Sequence, residues 1–167
     1  MQIAIISDIH DNLPNLQKVL DYCADQKIEK IICCGDITNQ ESLDFLNDNF
    51  SGEIFYAFGN ADEGHLEKES LGKKYKKTSI FPDFGEASME DKKIAFVHFP
   101  DKAKELAENG QYDFVFYGHT HKPWTEKIGK CEMLNPGNVA GTFYPPTFAV
   151  WNLDDGKFSL IRVHDLK

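Results

Sequence analysis

An α/β fold of two packed sheets with helices outside is predicted from three features of the sequence. Strand-length apolar runs alternate with helical periodicities over the first hundred residues, polar metal-ligand types recur where those runs end, and the remainder reads as strands and turns. Residues 2–7 form the first apolar run. Asn12 then offers a helix N-cap with Pro14 in the first turn, and Leu13, Leu16, Val19, Leu20 and Cys23 recur at helical spacing to about residue 26. Residues 28–34 are wholly apolar at their end, as a strand buried on both faces requires. A short helix over 40–49 and a strand over 53–58, ended by Gly59, complete the alternating part. A lysine-rich stretch follows in which no element is evident.

Residues 84–90 and 92–99 flank Asp91 as a hairpin. The pattern predicts a helix over 101–109 with Asp101 as N-cap and Gly110 just past its end. Strands are expected over 113–117, 124–128, 131–135, 147–152 and 157–164, the last two joined by Asp154-Asp155-Gly156. At 167 residues and 41% hydrophobic composition the chain suits one domain, 1–167, with a single substantial core.

The formal net charge of -9 argues against nucleic acid, whose binders draw affinity from clustered Lys and Arg. Lys73, Lys74, Lys76 and Lys77 are the local exception, and such a run is most often a solvated face. Cys23, Cys33, Cys34 and Cys131 have neither disulfide-framework nor C-x-x-C spacing, and Cys33 and Cys34 suit core packing. With no apolar run of roughly eighteen residues and no signal-peptide core, a cytoplasmic protein without a membrane partner is expected. Exposed β edges are compatible with a homodimer or higher homo-oligomer, though no residue demands one.

Five strand ends carry the chemistry: Asp8 and His10, Asp36, Asn60 and Asp62, His98, and His119 with His121. The carboxyl edge of an α/β sheet is where ligand sites form. If the chain stays extended, residues i and i+2 project to one side, so Asp8 with His10, and His119 with His121, should converge as pairs. Mixed imidazole and carboxylate ligands suit first-row transition metals better than Ca or Mg. Asp36, on a turn preceded by glycine and with two oxygens to share, is the natural bridge between two ions. Such a pair, about 3.5 to 4 Å apart, can clamp a phosphoryl group.

The ordered series D-x-H, G-D, G-N-x-D, H and G-H-x-H resembles the calcineurin-like metallophosphoesterase superfamily. The segments SDIHDN, GNAD, GHTH and NPGN, running from Asp8 to Asn138, look like its small single-domain phosphodiesterase branch. The resemblance implies a four-layer α-β-β-α sandwich of two mixed sheets. It implies Asp8, His10 and His121 on one metal, Asn60, His98 and His119 on the other, and Asp36 bridging. The ions would be divalent, manganese foremost, with nickel, iron or zinc as the other candidates. The implied reaction is hydrolysis of a small phosphodiester by a metal-bridging hydroxide attacking in line with the leaving alcohol. Asn60, His119 and Asp62 are the candidate catalytic residues, Asp62 by orienting a ligand from behind rather than by binding metal. Asn12, Asn138 and His65 are candidates for the pocket wall and for support behind the ligands. Phosphomonoester hydrolysis, and a protein-binding scaffold like the family's retromer subunit, are the alternatives. Two departures stand out: Phe99 and Pro100 follow His98 where glycine is frequent, and Ala61 replaces the histidine that assists the leaving group in larger members.

Each residue also has a plainer reading. Asp8, Asp36 and Asn12 could simply cap turns or helices, His98 could be a half-buried strand residue, and 135–138 could be a mere turn. The company these residues keep favours the site. His164 lacks such company and reads as a surface or strand residue.

Overall fold

The computed structural model describes residues 1–64, 66 and 74–167. One sheet has six strands in the order β11-β10-β1-β2-β3-β4 and the other five in the order β5-β6-β7-β9-β8. The first comprises β1 (Gln2–Ile6), β2 (Lys30–Cys33), β3 (Glu53–Ala57), β4 (Thr78–Phe81), β10 (Thr147–Asn152) and β11 (Lys157–Arg162). The second comprises β5 (Phe84–Met89), β6 (Lys92–Val97), β7 (Phe114–Phe116), β8 (Trp124–Ile128) and β9 (Cys131–Asn135). Both sheets are mixed: β1 through β4 run parallel, as do β6, β7 and β9, while the outer pairings with β10, β11, β5 and β8 are antiparallel.

Three apolar layers follow from strand alternation. Ile31 and Cys33 turn toward α1 (Leu13–Asp25) and α2 (Gln40–Asn49), packing with Leu16, Val19, Leu43 and Leu46. Ile32 and Cys34, one residue out of phase, face the second sheet and meet Phe96, Phe116 and Trp151. The outer face of that second sheet packs Val97, Val115 and Met133 on Ala103, Leu106 and Ala107 of α3 (Pro100–Glu108). The result is the four-layer α-β-β-α sandwich, with β2 buried on both faces as its composition required. Each fully buried aliphatic side chain here contributes about 1.5–3 kcal/mol. All four cysteines are buried and unpaired, and Cys33 and Cys34 are core residues. Among the described residues, no helix is long and apolar enough to cross a membrane.

Three expectations need correction. The strand β4 went unseen because four residues, Thr-Ser-Ile-Phe, give almost no periodicity; parallel pairing with β3 makes it a strand. The third helix begins at Pro100 with Phe99 rather than Asp101 as N-cap, since proline's fixed backbone angle suits the first helical position. The last strand ends at Arg162, and a 3-10 turn over Val163–Asp165 drops Val163 into the core and carries His164 outside the strand. Lys73 lies outside the described residues; Lys74 and Lys76 are exposed as a solvated face requires, Lys74 pairing with Asp44 at 2.6 Å on the surface, and the half-buried Lys77 donates to the Phe50 carbonyl.

Candidate metal centre

The parallel strands of both sheets release their chemistry at one edge. Asp8 and His10 follow β1, Asp36 follows β2, Asn60 follows β3, His98 follows β6, and His119 and His121 follow β7. The chain does not stay extended there. Asp8, His10, Asp36, His119 and His121 all have left-handed backbones, φ 54, 43, 56, 68 and 59°. Each such residue costs roughly 1–2 kcal/mol locally, and the turns bring separate strand ends within contact range. Two glycines are sterically required for that approach. A β-carbon at Gly59 would stand 2.1 Å from Asp36 Oδ1, and one at Gly118 would stand 1.9 Å from Ser7 Oγ.

The i and i+2 expectation is half corrected. Asp8 and His10 do share a cluster, Asp8 Oδ1 lying 3.8 Å from His10 Nε2, but its third member is His121. The His121 Nε2 atom is 3.3 Å from both Asp8 Oδ1 and His10 Nε2. His119 turns away from His121 to a second cluster. There His119 Nδ1 lies 3.0 Å from Asn60 Oδ1 and 3.2 Å from His98 Nε2, and the last two atoms are 3.1 Å apart.

One atom belongs to both groups. Asp36 Oδ2 is 3.6 Å from His10 Nε2 and 3.3 Å from His98 Nε2. Its other oxygen accepts the Ala61 N–H at 2.8 Å, so a single oxygen, not two as the sequence suggested, faces the two clusters.

The donor chemistry fits cations. His98 Nδ1 donates to the Cys34 carbonyl at 2.8 Å and His121 Nδ1 to the Thr142 carbonyl at 3.1 Å, which aims each Nε2 lone pair into the centre when the ring is neutral. Those lone pairs meet carboxylate and amide oxygens, acceptors facing acceptors. Among the described residues, Asp8 Oδ1 is buried without a hydrogen-bond donor. Donor atoms about 2.1 Å from one shared first-row ion stand roughly 3.0–3.4 Å apart, close to most of the separations here. Asp8, His10 and His121, and likewise Asp8, Asp36 and His98, offer ligand atoms within 4.8 Å of one another. Divalent metal ions suit both sets.

The electrostatics agree. Burial pushes the Asp36 carboxyl up, but its bond to His98, the Ala61 N–H and His10 outweigh that and hold it below its ordinary value. Burial pulls His98 down, and Asp36, Asp8 and the Cys34 carbonyl together raise it above the usual imidazole value. His121 is raised chiefly by the Asp8 carboxylate facing its Nε2, against the opposing effect of burial. A proton held on these rings stands in for the positive charge that the carboxylates demand.

Behind the clusters lies a frame of buried polar side chains. Asp62 stands behind the centre, in the orienting position expected of it, and touches the ligands only through backbone. Its two oxygens accept the N–H groups of Asp36 at 2.9 Å, Gly59 at 2.7 Å and Thr38 at 2.7 Å, tying the Asp36 and Asn60 turns together. Asn12 caps α1 by accepting the Asn15 N–H and also donates to the Ala140 carbonyl. Asn138 accepts from Gly141 and Thr142 N–H and donates to the carbonyls of His121 and Tyr144, fixing the loop whose Thr142 carbonyl orients His121. Asn135 donates to the Gly118 carbonyl and Thr120 Oγ1. Thr142 and Cys34 act through backbone carbonyls and left no trace in the sequence. His65 lies outside the described residues.

Comparison with known proteins accords with this geometry. The profile of the calcineurin-like phosphoesterase superfamily domain matches residues 1–156. Phosphodiesterase MJ0936 of Methanocaldococcus jannaschii is 32% identical over 143 residues, covering 84% of this chain and 86% of that protein. A solved archaeal phosphodiesterase superposes with a TM-score of 0.87 at 29% identity over 97% of this chain and 99% of the other. Vacuolar Protein Sorting 29 from Cryptosporidium parvum shares the fold, with a TM-score of 0.69 at 21% identity over 96% of this chain and 95% of the other.

Proposed function

The chain belongs to the calcineurin-like phosphoesterase superfamily, and on that premise we propose that it is a metal-dependent phosphodiesterase acting on small phosphate diesters. Asp8, His10 and His121 would hold one divalent ion, Asn60, His98 and His119 a second, and Asp36 both through Oδ2. Such ions supply Lewis acidity toward phosphoryl oxygens and make water nucleophilic near neutral pH. The single observation that carries the reading is Asp36 Oδ2, one buried carboxylate oxygen placed between two sets of lone pairs. Manganese is the leading candidate, and nickel, iron and zinc suit the same donors.

The chain's own residues set the rest. Asn60 and His119 are the exposed members of the centre and stand where a phosphoryl group would arrive from solvent. Ala61 offers no side-chain proton, so a departing alcohol relies on its own acidity or on water, a deficit worth roughly 10²-fold or more. The only arginine, Arg162, ends β11 and lines a hollow with Lys122 and His164. A dianionic monoester would therefore find no bidentate clamp at the ligand motifs, and a diester monoanion needs none. The intact donor set disfavours the scaffold alternative.

The test is to strip the protein with a chelator, restore Mn²⁺, Ni²⁺, Fe²⁺ or Zn²⁺, and assay bis(p-nitrophenyl) phosphate beside p-nitrophenyl phosphate. Turnover should require metal and favour the diester in kcat/KM. Absence of metal-dependent turnover on a broad diester panel would reject the reading, and a faster monoester would make the protein a phosphomonoesterase.

A further inference from the structure

We infer that Phe99 and Phe143 form an aromatic substrate clamp, so that the preferred substrates are diesters carrying at least one planar ring. The inference rests on the phosphodiesterase reading and deepens it. Phe143 is 89% exposed, so its ring adds little to any core. It nevertheless sits beside the His121 imidazole, edge-on, with centroids 5.6 Å apart. Phe99 is 42% exposed, with its ring 5.1 Å from that of His98 and 5.2 Å from that of His119. One ring thus flanks the cluster of Asp8, His10 and His121, and the other flanks the cluster of Asn60, His98 and His119.

Local stability would choose otherwise at both positions. Phe143 has a left-handed backbone, φ 64°, unfavourable for a bulky residue. Its loop is cinched by Asn138, which bonds to Gly141, Thr142 and Tyr144, and is followed by Pro145-Pro146. A strained backbone held this firmly presents the ring rather than hiding it. Phe99 occupies an N-cap where Ser, Thr, Asp or Asn would satisfy an open N–H, and it makes no cap bond. Positions that break local rules without benefit to the core are those where function is expected. With the phosphoryl group between the clusters, a ring on either ester oxygen can meet one of these phenyl faces or edges. Aromatic contact needs no positive charge, which fits a chain of net charge -9.

Leaving-group acidity must be separated from ring recognition. The Mn²⁺-loaded protein is therefore assayed with methyl p-nitrophenyl phosphate and phenyl p-nitrophenyl phosphate, which share one leaving group and differ only in the retained substituent. The phenyl ester should lead by about tenfold in kcat/KM beyond the ratio of the uncatalysed reactions. F143A and F99A should each shrink that ratio, the double variant should bring it near one, and F143Y should largely restore it. A wild-type ratio near one, or variants that slow both esters equally, would overturn the clamp. Calorimetric titration of the same loaded protein with diphenyl phosphate and dimethyl phosphate gives a reading independent of turnover. Tighter binding of diphenyl phosphate that F143A abolishes, without hydrolysis of any diester, would sink the phosphodiesterase reading and keep the clamp. Equal binding, or no binding of either, would overturn the clamp.

Discussion

Asp36 and the histidines around it bring carboxylate charge and imidazole nitrogens into one volume, and the consequences are measurable residue by residue. Asp36→Asn removes the negative charge shared by both clusters, so both metal equivalents should be lost together in elemental analysis, with kcat/KM falling at least about 10²-fold. His10→Ala should leave the second equivalent largely in place. An Asp36→Asn variant that keeps two tightly bound metals would refute the shared-oxygen assignment. The raised pKa values of His98 and His121 have a sign that can be checked. Without metal, the stability they contribute is full below the ordinary histidine value of about 6.5 and disappears as pH rises through their raised folded values. Metal needs the neutral rings, so its affinity runs the other way and increases over that same range. The rise in Tm on adding Mn²⁺ should therefore grow as pH climbs above about 6.5. A metal-induced shift that is flat across that window would exclude these rings as ligands.

Elements matter here mainly for where they stop. The 135–138 turn after β9 is the frame for the loop that orients His121, and Asn138 is fully buried with four partners. Asn138→Ala strands several of those backbone groups, at about 1–3 kcal/mol for each left unsatisfied. It should lower Tm by several degrees and weaken metal binding by roughly 10–100-fold, more at the His121 cluster than at the other. An Asn138→Ala protein with unchanged Tm and metal affinity would remove the loop from the account. Much of this scale was legible in the sequence. Apolar runs ending in Asp, Asn or His mark strands that release ligands at one edge, and the periodicity of Leu16, Val19, Leu20 and Cys23 marks the buried face of α1. What escaped reading depends on neighbours: β4 exists through pairing with β3, and the left-handed turns at Asp8 and His119 meet across the sheets, the His119 N–H donating to Asp8 Oδ2 at 3.0 Å. Phe143 carried no signal because an exposed aromatic in a Gly-Thr-Phe-Tyr-Pro-Pro stretch reads as an ordinary loop residue.

At the scale of the whole molecule, each donor cluster draws on both sheets. Asp8 and His10 come from the first sheet and His121 from the second, while Asn60 and Asp36 come from the first and His98 and His119 from the second. Metals bound at this edge would cross-link the sandwich where its strands end, and the Phe96, Phe116 and Trp151 core that holds the sheets together also fixes the spacing of the clusters. Neither sheet alone contains a complete site. The central proposal is that Asp36 Oδ2 would serve two ions together, and electron paramagnetic resonance of the metal-free protein titrated with Mn²⁺ tests it most directly. Two equivalents should give the spin-coupled spectrum of a bridged pair, absent from Asp36→Asn, whereas a single bound equivalent or a simple sum of isolated Mn²⁺ signals would contradict it.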